Sequence, residues 1–460
     1  MKKRLFATIM AAAIAVTALS GCGGSGGDDG KLTIKLGYLP QQETQPEQYE
    51  IYMGYFEKYE SEHPDIDLVQ DLTSLEADQI MANAAAGQLP NLYRVPFTDA
   101  SLMIKAGYAK DITDIMKKRG YDTALNDDLL NLVKDDEGKL YGIPYNGYMM
   151  GMWYNVNLFE QTGLMNDDGT LKYPKTFDEL ITTAQTITEK TGAAGFGFPT
   201  MDAECGWVFM NIAWNYGVKF MEQNDDGSYT ATFDSPEMIN AFQYIHDLKW
   251  KYKTLPDNNL IDRSELQKLF ATDRCAMSII GEDWINGPVT SYNMDKNKIA
   301  TSAMPAGPAG RYAETGGDVW LLSKETTDEQ AEAIFDWLEL LGYSPSLSDI
   351  AKENITKDIQ AKAAENEIIV TPSFSVWKSP ERKAEVDALY EPHINVDQKL
   401  QQGLMADDVQ LHAEEPAQTQ QLYRMLSSVI QEILTNENVD IPSLVSQTQK
   451  TFQADFLDKN

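Results

Sequence analysis

The chain has 460 residues, of which 43% are hydrophobic and 10% aromatic, and its formal net charge is −32. This length exceeds that of one compact domain and favours two domains, and the aromatic content argues against a disordered chain. The charge argues against a nucleic-acid partner, because Lys and Arg would have to neutralise its phosphates.

The N-terminus has the features of a secreted lipoprotein. Lys2–Arg4 form a positive stretch. The apolar stretch Leu5–Leu19 that follows is shorter than the ~20 residues of a membrane-spanning helix, so residues 1–21 are predicted to be a signal peptide. The segment Leu19-Ser20-Gly21-Cys22 resembles the bacterial lipobox, which implies that Cys22 is diacylated. An ordinary signal peptide with an incidental cysteine is the alternative.

Residues 23–30 are rich in Gly, Ser and Asp. This composition is typical of a flexible linker, so residues 22–30 are predicted to be a lipidated tether. Two acyl chains anchor a protein stably. We therefore expect the protein on the extracytoplasmic face of the cell membrane.

The first elements of the mature chain predict a parallel sheet. Leu32–Leu36 alternate between apolar and polar residues, as a strand does. A helix is predicted from Pro46 to about Pro64, and Ile66–Val69 then suggest a second strand. A strand–helix–strand order of this kind implies parallel pairing.

The same pattern continues along the chain. Thr176 is a predicted N-cap, with Glu179 at the capping-box position. Further strands are predicted at Leu92–Phe97 and Lys139–Ile143, and further helices at 76–86, 101–105, 176 onwards, 236–253 and around 334–341.

The remaining cysteines, Cys205 and Cys275, do not have metal-ligand spacing, so no metal site is predicted. They could form a disulfide in an oxidising compartment or remain two buried thiols. The sequence leaves both possibilities open. It also lacks the glycine-rich motifs that bind nucleotides, so no cofactor is predicted.

Several short segments occur in an order that resembles the family 1 extracellular solute-binding proteins of bacterial ABC transporters. Asn91 departs from this pattern, since the family commonly has Asp there. The segments are Phe56–Pro64, Ala86–Asn91, Ala106–Ile112, Gly138–Tyr145, Trp153–Asn155, Pro174–Leu180, Cys275–Trp284, Met304–Pro308 and Gly316–Gly317.

The resemblance implies an α/β fold of the periplasmic-binding-protein type, with two lobes, a hinge and a ligand cleft between the lobes. It places residues 31–148 and 303–343 in an N-terminal lobe, and residues 149–302 and 344–460 in a C-terminal lobe. It further implies that the protein captures a small solute and delivers it to the permease subunits of an ABC transporter.

Ligands of open α/β sheets bind beyond the carboxyl ends of the strands. Aromatic rings stack on the apolar faces of a sugar, and carboxylates accept hydrogen bonds from its hydroxyls, so the residue types found there predict a mono- or oligosaccharide. Gly317 would let the backbone approach the ligand, whereas Trp320 could equally belong to the core. The candidate ligand-binding residues are Tyr38, Asp99, Tyr145, Tyr148, Trp207, Glu282, Asp283, Trp284, Gly317, Asp318 and Trp320.

No catalytic residue is predicted. The four histidines are not in a zinc-protease motif, and no serine-nucleophile motif occurs. A secreted, lipid-anchored glycosidase that uses two carboxylates remains the rival hypothesis. A binding protein for a non-sugar solute, such as a polyamine, is the other alternative, because acidic residues also suit a cation.

Overall fold

The computed structural model describes residues 30–73, 77–135 and 137–459, without the side chains of residues 77, 78 and 283. The predicted signal peptide, the tether to residue 29 and Cys22 lie outside the described residues. Within the described ranges, no helix combines the length and the apolar character that crossing a bilayer requires.

The described residues form ten strands that are separated in most cases by one or more helices. The strands are β1 Leu32–Gly37, β2 Ile66–Asp71, β3 Leu92–Pro96, β4 Gly142–Asn155, β5 Met221–Gln223, β6 Tyr229–Ala231, β7 Met277–Gly281, β8 Ile299–Ser302, β9 Tyr312–Leu322 and β10 Gln410–Ala413. The helices are α1 Pro46–Glu62, α2 Ala77–Ala85, α3 Phe97–Lys105, α4 Thr113–Arg119, α5 Tyr121–Ala124, α6 Asp127–Asn131, α7 Val156–Thr162, α8 Phe177–Thr191, α9 Asp202–Asn215, α10 Pro236–Trp250, α11 Arg263–Ala271, α12 Gly287–Tyr292, α13 Asp328–Leu340, α14 Asp349–Ala364, α15 Pro380–Tyr390, α16 Thr419–Thr435 and α17 Ile441–Phe452.

The main sheet begins as the sequence predicts. β1 pairs in parallel with β2, with Leu32 opposite Ile66, and it also pairs in parallel with β3. The order continues β2-β1-β3-β9-β4-β7, with β10 added beside β9 and β8 beside β4. The strand–helix–strand prediction for β1, α1 and β2 is therefore confirmed.

Two long strands, β4 and β9, run through both halves of this sheet. The first half of β4, Gly142–Met149, pairs antiparallel with β9, and Met150–Tyr154 pair with β7. Likewise, β9 pairs with β10 at its start and with β3 from Asp318 onwards. The two strands therefore lie next to each other and both pass from one half of the sheet into the other.

Each half of the sheet has its own hydrophobic core. One core surrounds β1 and β3 and includes Ile34, Tyr93 and Trp337, and the other packs against the second half of β4 and includes Phe209 and Ile430. We call these halves the first lobe and the second lobe. The predicted two-lobe α/β fold is confirmed.

The predicted limits of the lobes stay a prediction, and the packing favours different ones. Ala303, Met304 and Ala313 belong to the core of the second lobe, although residues 303–343 were assigned to the first. Helix α14 packs against α1 and α13 of the first lobe, although residues from 344 onwards were assigned to the second. The long C-terminal region is therefore shared between the lobes.

Cys205 in α9 and Cys275 just before β7 are both buried free thiols. Burial raises the pKa of each thiol, that of Cys275 to about 12. Of the two possibilities that the sequence left open, the structure contains the pair of unlinked, buried side chains.

Candidate functional site

A cavity of about 470 Å³ lies between the lobes, and we call it the interlobe cavity. The first lobe contributes Pro96 and the end of β3, and the second lobe contributes residues of α9 and α16. A segment of the C-terminal region, residues 370–374, forms another part of the wall. Six of the predicted ligand-binding residues line this cavity: Tyr148, Trp207, Glu282, Trp284, Gly317 and Asp318.

Tyr148 reaches this cavity because of the way β4 and β9 pair. An irregularity between Pro144 and Asn146 inserts an extra residue into β4, which changes the face on which the following side chains lie. Tyr148 is then opposite Gly316, where an added Cβ would be only 2.4 Å from the tyrosine hydroxyl oxygen. A glycine at 316 therefore makes room for the tyrosine ring.

Gly317 has a similar packing role. An added Cβ would lie 2.1 Å from the carbonyl oxygen of Asn146 and 2.7 Å from the ring of Phe97. Gly317 lines the cavity, but the space left by its missing side chain is filled by the protein itself. It allows close packing of the strands, and its predicted contact with a ligand through the backbone stays a prediction.

The hydroxyl of Tyr148 belongs to a buried hydrogen-bond network. It donates to Glu314 Oε1 at 3.2 Å and accepts from Trp207 Nε1 at 3.1 Å, and the same indole N–H is also close to Glu314 Oε1. Asn211 accepts a hydrogen bond at 2.8 Å from the backbone N–H of Glu314. Burial raises the pKa of Glu314, and the nearby charge of Glu414 raises it further. The network therefore fixes the Trp207 ring at the cavity wall.

Trp284 extends this aromatic wall. Its ring centroid lies 5.0 Å from that of Trp207, and the guanidinium of Arg263 lies 4.3 Å from the centre of the Trp284 ring. Arg263 also forms a 2.6 Å ion pair with Glu204, another cavity residue. Only 8% of Trp284 is exposed, because the residue lines the cavity and also packs in a small hydrophobic core.

Asp318 is paired with Arg94 of β3. Their side chains approach to 3.3 Å, and the Arg94 guanidinium lies 3.2 Å from the centre of the Tyr38 ring and 4.9 Å from that of Tyr145. Burial raises the pKa of Asp318, and the charge of Arg94 opposes this change. The rings of Tyr38 and Tyr145 thus position the Arg94 guanidinium that pairs with Asp318.

Two further carboxylates of the cavity accept hydrogen bonds from uncharged groups. Ser373 Oγ donates to Glu282 at 2.7 Å, and the Tyr423 hydroxyl donates to Glu414 at 2.7 Å. Burial raises the pKa of Glu282 and, with help from the charges of Asp99 and Asp318, raises that of Glu414 to about 7. No group of three or more described His, Cys, Asp or Glu side chains could hold a metal ion.

The other predicted residues lie elsewhere. Burial raises the pKa of Asp99 to about 6, and its charge reaches Glu414, but Asp99 does not line the cavity. Tyr38 is 57% exposed, and Trp320 is only 5% exposed within the first core. The side chain of Asp283 lies outside the described residues.

Tyr145 lines a second cavity of about 330 Å³, which we call the tyrosine cavity. Tyr52, Tyr343 and Tyr390 also border it, beneath α14 and α15. Its wall is shared with the interlobe cavity at Asn146, Gly147, Pro372 and Phe374. The two cavities therefore adjoin each other along these four residues.

Several residues of the interlobe cavity are not among the residues predicted from the sequence. Ser373, Phe374, Glu414 and Tyr423 all come from the C-terminal region, beyond the segments that carry the family resemblance. Glu204 was also missed, although it lies three residues before Trp207 on α9. The positions of the four C-terminal residues result from packing of distant segments, for which the sequence contains no local pattern, whereas the helical spacing from Trp207 is a local signal for Glu204.

Comparison with known proteins identifies the family. Residues 43–340 match the model of the bacterial extracellular solute-binding proteins, and the chain belongs to this family. A Brucella abortus (strain 2308) relative, named as a binding protein, is 25% identical over 301 residues, which are 62% of this chain and 68% of the relative. A lactose-binding protein of Rhizobium radiobacter is 24% identical, covering 60% of this chain and 64% of its own length.

Solved structures share the fold over almost the whole chain. An ABC transporter solute-binding protein of Thermotoga lettingae TMO, bound with α-D-tagatose, superimposes with a TM-score of 0.66 at 19% identity. The match covers 92% of this chain and 99% of that chain. The protein is thus a two-lobe solute-binding protein, and its relatives are binding proteins.

Proposed function

We propose that this protein binds a mono- or oligosaccharide in the interlobe cavity and delivers it to the permease of an ABC importer. The observation that carries this proposal is the cavity itself, with aromatic rings and carboxylates from both lobes around about 470 Å³. Tyr148, Trp207 and Trp284 offer rings for the apolar faces of a sugar, and Asp318 offers acceptors for its hydroxyls. A relative named for lactose binding supports the choice of a carbohydrate.

The energetics of such a site are adequate. A ring that covers ~60–100 Å² of apolar sugar surface contributes roughly 1.5–2.5 kcal/mol at about 25 cal/mol per Å². Micromolar binding corresponds to about −8 kcal/mol. Two or three rings supply roughly 3–7.5 kcal/mol, so several charged hydrogen bonds, at about 1.5–3 kcal/mol each, must supply the rest and offset the cost of association.

The cavity opens and closes, in this proposal, by bending of β4 and β9 where they pass between the lobes. A solute that touches both lobes favours the closed state, because only that state offers both sets of contacts. Small-angle scattering would then show a smaller radius of gyration with the bound sugar. An unchanged radius at saturation would contradict closure.

Binding is tested by a thermal-shift screen of mono- and oligosaccharides, followed by calorimetry on each sugar that raises the melting temperature. Trp207→Ala should weaken binding about tenfold or more, since it removes one stacking ring. Trp250→Ala is the matched control, because Trp250 lies on α10 and its indole N–H donates to the Ile433 carbonyl oxygen, away from the cavity. Turnover of an oligosaccharide would instead support the rival glycosidase.

The lipid anchor is a separate part of the proposal and rests on the sequence around Cys22. Cells that express the full chain with a labelled fatty acid should yield a labelled, membrane-bound protein. Cys22→Ala should abolish the label and release the protein from the membrane. An unlabelled wild-type protein would contradict the anchor without affecting the binding proposal.

A further inference from the structure

The charges around the interlobe cavity are strongly one-sided. Four carboxylate side chains line it, those of Glu204, Glu282, Asp318 and Glu414. Among the described residues that line it there is no Lys, Arg or His. The tyrosine cavity is different, because Lys362, Arg382 and Lys383 line it together with two aspartates.

Only part of this negative charge is balanced by the protein. Arg263 pairs with Glu204 at 2.6 Å, and Arg94 pairs with Asp318 at 3.3 Å. Neither arginine is among the residues that line the cavity, and each contacts an aromatic ring, Arg263 that of Trp284 and Arg94 that of Tyr38. The two arginines therefore neutralise two of the four carboxylates.

Glu282 and Glu414 have no such partner within hydrogen-bond distance among the described contacts. Their close donors are the hydroxyls of Ser373 and Tyr423, and Lys383 acts on Glu282 only through its more distant charge. Burial raises the pKa of both carboxyls, which means that the surroundings disfavour their negative charge. A buried, unpaired charge is costly, and a paired one is much less so.

We propose that the solute bound in the interlobe cavity carries a positive charge, and that it is a sugar ring with a protonated amino group. This inference rests on the proposed binding function and adds the class of its ligand. The ring is stacked by the aromatic side chains, and the ammonium lies next to Glu282 and Glu414. A neutral sugar also satisfies the hydrogen-bonding capacity of these carboxylates, but it leaves their charge in a space from which it has displaced water.

The aromatic residues of the cavity support the same ligand. Trp207, Trp284, Tyr148, Phe374 and Tyr423 all border it. The faces of such rings attract cations, and a desolvated ammonium on an indole gains about 2 kcal/mol. The cavity therefore combines aromatic rings with carboxylates that lack a basic partner, and no basic side chain lines it. This combination favours a ligand that carries a positive charge on a partly apolar ring.

The test compares matched pairs of sugars that differ in one group, such as glucosamine with glucose and with N-acetylglucosamine, and the corresponding amino and neutral disaccharides. Calorimetry at about pH 7, close to the pKa of Glu414, keeps much of this carboxyl ionised while much of the sugar amine stays protonated. We expect the amino sugar of at least one pair to bind ten times more tightly than its neutral partner. Spermidine and choline serve as cations that lack the sugar ring and should bind more weakly than that amino sugar.

Variants of the two carboxylates connect the preference to the site. Glu282→Gln and Glu414→Gln keep the acceptor oxygen and should each remove most of the tenfold preference, whereas Glu222→Gln on the exposed strand β5 should not. Circular dichroism and melting temperature verify that each variant is folded.

Each outcome bears on the proposal. Equal or tighter binding of the neutral sugars overturns the charge inference but leaves the proposed function intact. If spermidine or choline binds more tightly than every amino sugar, the inference that the ligand contains a sugar ring is overturned. If none of the probes binds, both proposals are refuted. A preference that both Gln variants retain shows that other groups select the ligand, which also overturns the inference.

Discussion

Replacing Glu414 with Gln should remove a pH-dependent loss of stability. Burial is the main cause that raises the pKa of Glu414 from 4.5 to about 7. In the unfolded chain the carboxyl has its ordinary pKa, so between these two values the folded protein binds more protons than the unfolded chain does. The free energy of unfolding therefore decreases as the pH rises through this interval.

The size of the effect follows from the interval. One pKa unit corresponds to about 1.4 kcal/mol, so a rise from 4.5 to about 7 amounts to a loss of about 3 kcal/mol above neutral pH. The amide oxygen of Gln can still accept the hydrogen bond that Tyr423 donates at 2.7 Å. The substitution therefore removes the charge and keeps this contact.

The assay is urea unfolding, followed by tryptophan fluorescence, at several values from about pH 4.5 to about pH 8. The difference in unfolding free energy between Glu414→Gln and the wild type should shift in favour of the variant as the pH rises. For Glu222→Gln, an exposed change on β5, the unfolding free energy should differ from that of the wild type by the same amount at every pH. A constant difference for Glu414→Gln would refute the reasoning that the buried charge is costly.

Three further changes test the packing and the helix cap, each by urea unfolding. Gly147→Ala would place a Cβ 2.2 Å from the ring of Phe374 and should cost about 1–3 kcal/mol, whereas Gly54→Ala, with no atom within 4 Å, should be neutral or stabilise by up to about 1 kcal/mol. Equal effects of the two glycine changes would contradict the close contact. Trp284→Ala should cost about 3–5 kcal/mol because only 8% of the side chain is exposed, and a smaller loss would show that the site relaxes around the missing ring. Thr176→Ala should cost about 1 kcal/mol by removing the N-cap of α8, and an unchanged unfolding midpoint would contradict that role.

Local patterns predicted the parts of the fold that depend on neighbouring residues. The alternation in Leu32–Leu36 and the cap at Thr176 are short-range features, and the structure contains both: β1 covers 32–37, and the Thr176 hydroxyl accepts from the backbone N–H of Glu179 at 3.2 Å. The Glu179 carboxylate accepts from the backbone N–H of Lys175, one residue before the position that a capping box requires. The cap was therefore predicted correctly, and its reciprocal hydrogen bond was not.

Only some site residues could be predicted from the ends of strands. Trp284 comes just after β7, as predicted, whereas Tyr148 and Asp318 lie within the long strands β4 and β9, at the point where these strands pass between the lobes. Trp320 lies two residues after Asp318 in the same strand, but it is buried in the first core beside Tyr145. Strand alternation alone does not distinguish these two environments, because both faces of this sheet are covered.

The path of the chain through β4 and β9 affects how the protein folds during synthesis. β3 pairs with β9 along Leu92–Pro96 and touches β1 at Leu92 on its other side. Because β9 begins at Tyr312, strands β4 to β8 are all synthesised before β9. Strand β3 can therefore pair with β9 only after they have left the ribosome. Until then the nascent first lobe has an open strand edge, which is a site for aggregation and for chaperones. Completion of that lobe is consequently a late, long-range event.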